Sequence, residues 1–314
     1  MSHEQRALLS FARRRSGAMN ASCAPLAPVL PRRGWDAAVV AALLQPHRAA
    51  FVMVRAQRKA SHPWLPDLAA DVAPAPIHLL YKRELTPLEA CEVQVAQSRP
   101  RAQVEVHQLH ENATEAGPKG GRECSGYLDF IINRWTHLPE RTFFMHEDAD
   151  PLSTTSIRTA MQATGYSSLG HPAGALLRCF APVESAAAAV AASPSIMRST
   201  TTYQLPIDLH DLLRQKGLIA PQCVITQCCA TFMVSRATIK RHPIAFYRSL
   251  RAFALTPRTK DTAHTTTNCH ALEHVWHIIF GASPASLPLW VNHFNGRRHE
   301  TRARAGPPTP PTLT

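Results

Sequence analysis

Apolar residues fall along this chain in two rhythms that alternate: short unbroken runs, and longer stripes at three- and four-residue spacing. Phe51-Val-Met-Val54 and Ile77-His-Leu-Leu-Tyr81 are runs of the kind that form strands buried on both faces. Val104–Leu109 alternates in polarity, as a strand with one wet face does. Between the first two runs Pro63-Trp64-Leu65-Pro66 reads as a loop, and 86–98 as a helix. The stretch from Arg122 to Trp135 carries one complete helical stripe: Cys124, Tyr127, Leu128, Ile131, Ile132 and Trp135. Leu138-Pro139 ends that segment, because a residue before proline is pushed out of helical geometry. Arg141–Met145 is then a strand and Ser153–Ala163 a short helix.

Further on, Ile207–Lys216 is helical and Gly217 stops it. Cys228–Val234 reads as a buried strand, with Ser235 capping a short helix over 236–241. Pro243 opens a helix over 243–253, and a last amphipathic helix, 269–280, buries Leu272, Val275, Trp276, Ile279 and Phe280. Strands alternating with helices predict an α/β fold, a single domain with a mixed, mainly parallel sheet flanked by helices. That domain runs over about 49–291, with an Ala/Ser/Pro-rich low-complexity insertion at 181–200. Residues 1–48 read as a leader, disordered or targeting, and 292–314 as a disordered Arg/Pro-rich tail.

The net charge of +12 invites a nucleic-acid reading until it is located. Residues 1–33 hold a balance of +5 and residues 297–304 one of +3, which leaves +4 over everything between. A mildly basic, solvated surface follows, and nucleic acid is disfavoured as a partner. The eight cysteines (23, 91, 124, 179, 223, 228, 229 and 269) show no Cys-x-x-Cys pairing. In a chain large enough for a full core they are expected to be buried free thiols, not a zinc site or a disulfide framework. No run approaches the ~20 apolar residues of a membrane span. The Arg-rich, acid-poor amino terminus weakly suggests organelle targeting, and simple disorder explains it equally well.

Candidate chemistry gathers where the 141–145 strand ends. His146-Glu147-Asp148-Ala149-Asp150 follows it directly, and open α/β sheets bind ligands outside the carboxyl ends of their strands. Asp148 and Asp150, at i and i+2, can turn both carboxylates onto one Mg²⁺ or Mn²⁺, which would bridge to a nucleotide diphosphate. The plainer alternative is a solvated acidic turn. His146 is a metal ligand, a general base, or a histidine satisfied by backbone. Arg122 heads a helix whose amino end could hold a phosphate, while Glu123 beside it suits the helix dipole as a cap. Arg236 is either a diphosphate clamp or a surface arginine behind the Ser235 cap. His270-Ala-Leu-Glu273-His274 matches the His-x-x-Glu-His zinc-protease spacing, with His277 one turn on. Such a site needs an acidic ligand well downstream, and the only acid after Glu273 is Glu300 in the basic tail, so they read as the polar face of a core helix. Glu273 then stands as a general base, a supporting group, or the partner of a buried arginine.

Gly121-Arg-Glu…Tyr127-Leu-x-x-Ile-Ile132, Leu138-Pro139…Phe144-Met-His146, Cys229-Ala-x-Phe-x-Val-Ser-Arg236, Pro243-x-x-Phe-Tyr247 and Glu273-x-x-Trp276…Ile-Phe-Gly281 occur in one order. That series resembles the family called domain of unknown function 3431, over about residues 50–281, and brings no established activity with it. The family pattern has an acidic pair after the first strand; here that stretch is Arg55-Ala-Gln-Arg-Lys-Ala-Ser-His-Pro-Trp64-Leu65, without acids. A more distant likeness is to GT-A type glycosyltransferases, which place Asp-x-Asp after a central strand. It implies an enzyme using a divalent cation, a nucleotide sugar and a glycan acceptor, with His146 and Glu273 catalytic, Asp148 and Asp150 on the metal, and Arg122 and Arg236 on the diphosphate. The competing expectation is a non-catalytic binding or scaffolding member of the same family.

Overall fold

A computed structural model describes residues 48–55, 64–82, 84–109, 122–146, 157, 160–169, 175–179, 205–218, 223–227, 231–256 and 268–281. Eight strands follow in chain order: β1 (Ala49–Arg55), β2 (Pro76–Tyr81), β3 (Gln103–Gln108), β4 (Arg141–Met145), β5 (Tyr166–Ser168), β6 (Ala175–Cys179), β7 (Cys223–Gln227) and β8 (Phe232–Ser235). Six form one sheet in the order β3-β2-β1-β4-β8-β5, while β6 and β7 pair separately and antiparallel. β3, β2, β1 and β4 are all parallel; β8 runs antiparallel to both β4 and β5.

Every residue of β1 is buried, as a central parallel strand requires. Its side chains divide between two cores. Val52 and Val54 join Leu80, Phe144, Phe232 and Val234 on one face. Phe51 and Met53 join Ile77, Leu79, Phe143, Met145 and Met233 on the other. The period-two alternation thus builds both cores from the same strands. The rings of Phe51 and Phe143 stack at 4.7 Å on the second face. Tyr127, Phe144 and Phe232 meet at 4.7 to 5.9 Å on the first.

Helices cover both faces. α1 (Leu65–Asp71) and α2 (Pro87–Gln97) pack on the Phe51 side. α3 (Arg122–Asn133), α4 (Ile207–Gln215), α6 (Ile244–Leu255), α7 (Asn268–Glu273) and α8 (Trp276–Ile279) pack on the Val54 side, and short α5 (Arg236–Ile239) follows β8. The fold is α/β, with a mixed, mainly parallel sheet between helical layers. The caps are those the sequence advertises. Thr86 and Glu89 form a reciprocal capping box on α2, and the Ser235 hydroxyl accepts from the Thr238 amide. Gly217 takes φ +76° where α4 stops. No helix among the described residues is long and apolar enough to cross a membrane.

Several expectations need correcting. Pro63–Pro66 is not all loop: Leu65 opens α1, with Pro66 in its first turn, where a missing N–H costs nothing. The run Cys228–Val234 is not one strand. Pairing begins only at Phe232, and an unforeseen strand, β7, ends at Gln227. The helix expected over 269–280 breaks at 274–275 into α7 and α8. Of the helix expected over 153–163, Ile157 and residues 160–162 are described and helical. The leader, the 181–200 insertion and the tail after 292 lie outside the described residues.

α3 crosses β1 at unusually close range. A Cβ on Gly126 would stand 2.5 Å from Val54 Cγ2 and 2.8 Å from Cγ1, so only glycine lets the helix seat there. Gly126→Ala should destabilise the chain by about 1–3 kcal/mol through overpacking, despite the better helix propensity of alanine. Adding Val54→Ala should recover part of that loss in a double-mutant cycle read by urea denaturation. Stability equal to wild type in the single variant would mean that α3 does not bear on Val54.

Candidate active site

From β1 the chain steps outward to β2 and β3, then returns over the sheet through α3 to lay β4 on the other side of β1. The strand order therefore reverses between β1 and β4, and in open α/β sheets such a reversal marks the crevice, at the carboxyl ends of the strands, where ligands bind. Arg55 ends β1, Lys82 follows β2, His146 follows β4, and the amino end of α3 brings Arg122, Glu123 and Ser125 to the same edge. Lys82 Nζ donates to Ser125 Oγ, which ties the end of β2 to the first turn of α3.

Glu123 is the centre of the group and only 4% exposed. His146 Nε2 lies 3.5 Å from Glu123 Oε1, and the His146 amide donates to Thr231 Oγ1 at 3.2 Å, just before β8. Glu273, the last residue of α7, reaches the same carboxylate from the opposite side. Ligand atoms of Glu123, Cys124, Cys269 and Glu273 all lie within 4.8 Å of one another. Burial alone would raise the Glu123 carboxyl, but hydrogen bonds from His146 and Glu273 outweigh it and hold the group below the ordinary carboxylate range. Two buried carboxylates in hydrogen-bonding contact hold one proton between them. With its side chain 23% exposed, His146 is the member that reaches solvent, backed by an ionised Glu123. An accessible imidazole beside a buried carboxylate is a pairing chemically able to take up and release protons.

Behind the pair, Cys124 and Cys269 form a disulfide with Cα atoms 5.3 Å apart, which joins α3 to α7. The expectation of free thiols is overturned for these two, and for Cys91, which is also disulfide-bonded. Both cysteines lie on apolar helical stripes, so local pattern alone reads them as core, and their 145-residue separation leaves no spacing signal. Arg55 is buried as well. Its Nη1 donates to Glu89 Oε1 at 2.9 Å, Nη2 lies 3.6 Å from Glu92 Oε2, and the guanidinium sits 5.7 Å from the Tyr81 ring centre. Glu89 and Glu92, both on α2, are thus the partners of a buried arginine at the end of β1.

The structure thus brings His146 and Glu273 together around Glu123, which sequence alone read as a helix cap. Arg122 heads α3 at this edge. Asp148 and Asp150 lie outside the described residues. Arg236 does not belong to the group. Because β8 is antiparallel to β4, Ser235 pairs with Arg141 and Arg236 falls at the amino edge of the sheet. Its amide donates to Glu140 O at 2.9 Å and its Nη1 to Leu138 O at 3.3 Å. The five residues of β4, roughly 16 Å of strand, separate it from His146. Nor do His270, Glu273, His274 and His277 share one helical face: α7 ends at Glu273, whose carboxylate turns to Glu123.

The family described as a protein of unknown function, DUF3431, matches residues 95–290, well over half of the chain, and the chain belongs to it. No curated protein matches the sequence. Among solved structures, core-mannan synthase A from Aspergillus fumigatus, in its Mn/GDP form, is similar at 13% identity over 72% of this chain and 69% of that one. Its TM-score is 0.29, too low for anything below to rest on it.

Removing the disulfide by Cys124→Ala with Cys269→Ala should lower stability by about 2–5 kcal/mol, because it closes a long loop; urea midpoints measured with and without reductant check this. Equal midpoints for wild type and the double variant would remove the bond from the folded state. Glu123 makes a second, pH-dependent test. Since its value is depressed in the folded chain, it contributes stability above its ordinary value of 4.5 and loses that contribution as pH falls through the folded-state value. Glu123→Gln should therefore destabilise more at pH 7 than at pH 3. A margin that does not shrink on acidification would show that the charge of Glu123 stabilises nothing.

Proposed function

We propose that this chain is a glycosyltransferase-like enzyme, taking a nucleotide sugar with Mg²⁺ or Mn²⁺ in the crevice between β1 and β4. The observation that carries the reading is the convergence of His146, Glu123 and Glu273 at the point where the strand order reverses. Asp148 follows His146 by two residues, and chain geometry keeps its Cα within roughly 7 Å of that residue's. On this reading Asp148 and Asp150 supply the hard oxygen donors such a cation takes. A cation held there neutralises charge on the departing diphosphate. On this reading Arg122, at the head of α3, and the positive end of that helix's dipole favour the same diphosphate. His146 accepts the proton of the acceptor glycan's hydroxyl as that oxygen bonds the sugar and the sugar–phosphate bond breaks. Glu123 holds the imidazole in place and stabilises its charged form, while Glu273 shares the proton behind it.

One observation favours a second reading, a non-catalytic binding or scaffolding member. Where the family pattern has an acidic pair after the first strand, this chain reads Arg55-Ala-Gln-Arg-Lys-Ala-Ser-His-Pro-Trp64-Leu65, without acids. One experiment separates the two. Mn²⁺ with a panel of nucleoside-diphosphate sugars should raise the melting midpoint by about 5 °C or more at a hundredfold excess over Kd. Asp148→Ala should abolish that rise, and His146→Ala should keep it while stopping release of free nucleoside diphosphate. No rise at millimolar ligand, or an equal rise in Asp148→Ala, would sink the enzyme reading. Binding without release in wild type would establish the second.

A further inference from the structure

At the outer edge of the sheet, on the face covered by α3, three side chains aim one ligand atom each at a common point. His78 on β2 pairs directly across from Glu105 on β3, and His107 lies two residues along β3 on the same face. His78 Nδ1 is 3.2 Å from His107 Nε2 and 3.2 Å from Glu105 Oε2, and His107 Nε2 is 3.3 Å from that same oxygen. The three atoms thus form a nearly equilateral triangle. A tetrahedral ion with ligands at about 2.0–2.1 Å spans its ligand atoms by about 3.3 Å, so the triangle already has the size of one face of a zinc coordination sphere.

We propose that His78 Nδ1, Glu105 Oε2 and His107 Nε2 form a binding site for a zinc-class divalent cation, with a fourth position open to solvent.

The surroundings support it. His78 is the buried anchor, its side chain 5% exposed, and its ring packs 5.0 Å from that of Phe130. Glu105 and His107 sit on the edge strand with side chains 45% and 37% exposed, so an ion can reach them. Arg134 Nη2 donates to Glu105 Oε2 at 2.8 Å. That oxygen has a second lone pair for a metal, and a hydrogen bond of this kind fixes the orientation of a ligating carboxylate. Two histidines and a carboxylate with one open position suit Zn²⁺ and related first-row ions better than Mg²⁺. The site is separate from the crevice at β1 and β4: Glu123 and Arg134 stand at opposite ends of α3, roughly 16 Å apart along its axis.

The test uses the full chain, stripped with chelator and titrated with Zn²⁺ by calorimetry, then with Co²⁺ by visible absorption. One equivalent should bind. Co²⁺ should give the intense bands of a tetrahedral site without the near-ultraviolet thiolate band that Cys124 and Cys269 would add. His107→Ala and Glu105→Gln, both on the half-exposed strand and so compatible with folding, should each weaken Zn²⁺ binding at least tenfold. Asp148→Ala and Glu123→Gln should leave it unchanged. Zn²⁺ affinity unaltered in His107→Ala and Glu105→Gln, a thiolate band, or loss of binding in Asp148→Ala would each overturn the assignment. So would the absence of stoichiometric binding, which would leave the three side chains a hydrogen-bonded cluster only.

Discussion

The seating of α3 against β1 governs what the carboxyl edge of this sheet can do. Gly126 brings the helix backbone to within van der Waals range of Val54, one residue before the strand ends. A helix held that close delivers Glu123 into the crevice instead of above it, and leaves Cys124 facing Cys269. Had residue 126 a side chain, the helix would lift, and the carboxylate, the sulfur and the Lys82–Ser125 bond would move together. Close packing makes this an all-or-none constraint, because interiors so dense do not deform smoothly.

Around that contact the protein buries two groups of charged side chains. Arg55, Glu89 and Glu92 form one group; Glu123, Glu273 and His146 another. Burying an ion pair rarely adds net stability over a hydrophobic replacement, whereas stripping a partner from a buried charge costs about 3–5 kcal/mol. The first group has a plain structural outcome: Glu89 both neutralises Arg55 and caps α2, so β1 and the helix are locked by one carboxylate. The second group has no such local duty. A buried carboxylate with a perturbed pKa beside a partly open imidazole at a switch point is a candidate for a functional site.

Much of the frame was legible because its signals are local. The stripe of α3 has the period of a helix, β1 and β4 are unbroken apolar runs, and Leu138-Pro139 and Gly217 punctuate the chain where they should. β5, β6 and β7 escaped because strands of three to five residues in antiparallel pairs carry too little pattern. His146 was visible from its place after a strand. Glu123 was not, since a carboxylate in a first turn has a sufficient local explanation and its partner, Glu273, lies 150 residues away. Arg236 was misplaced for a different reason. A helix following a strand suggests a carboxyl edge, but β8 runs against its neighbour β4, and direction, which only pairing reveals, puts that arginine at the far end.

The Cys124–Cys269 bond has a bearing on how the chain survives damage. It ties two points 145 residues apart, and the low-complexity segment 181–200 falls between them. Stretches rich in small residues are, where exposed, preferred sites of proteolytic nicking. A chain nicked once there would remain a single covalent molecule, with α3 and α7 still clasped at the crevice, and would part into two pieces only after reduction.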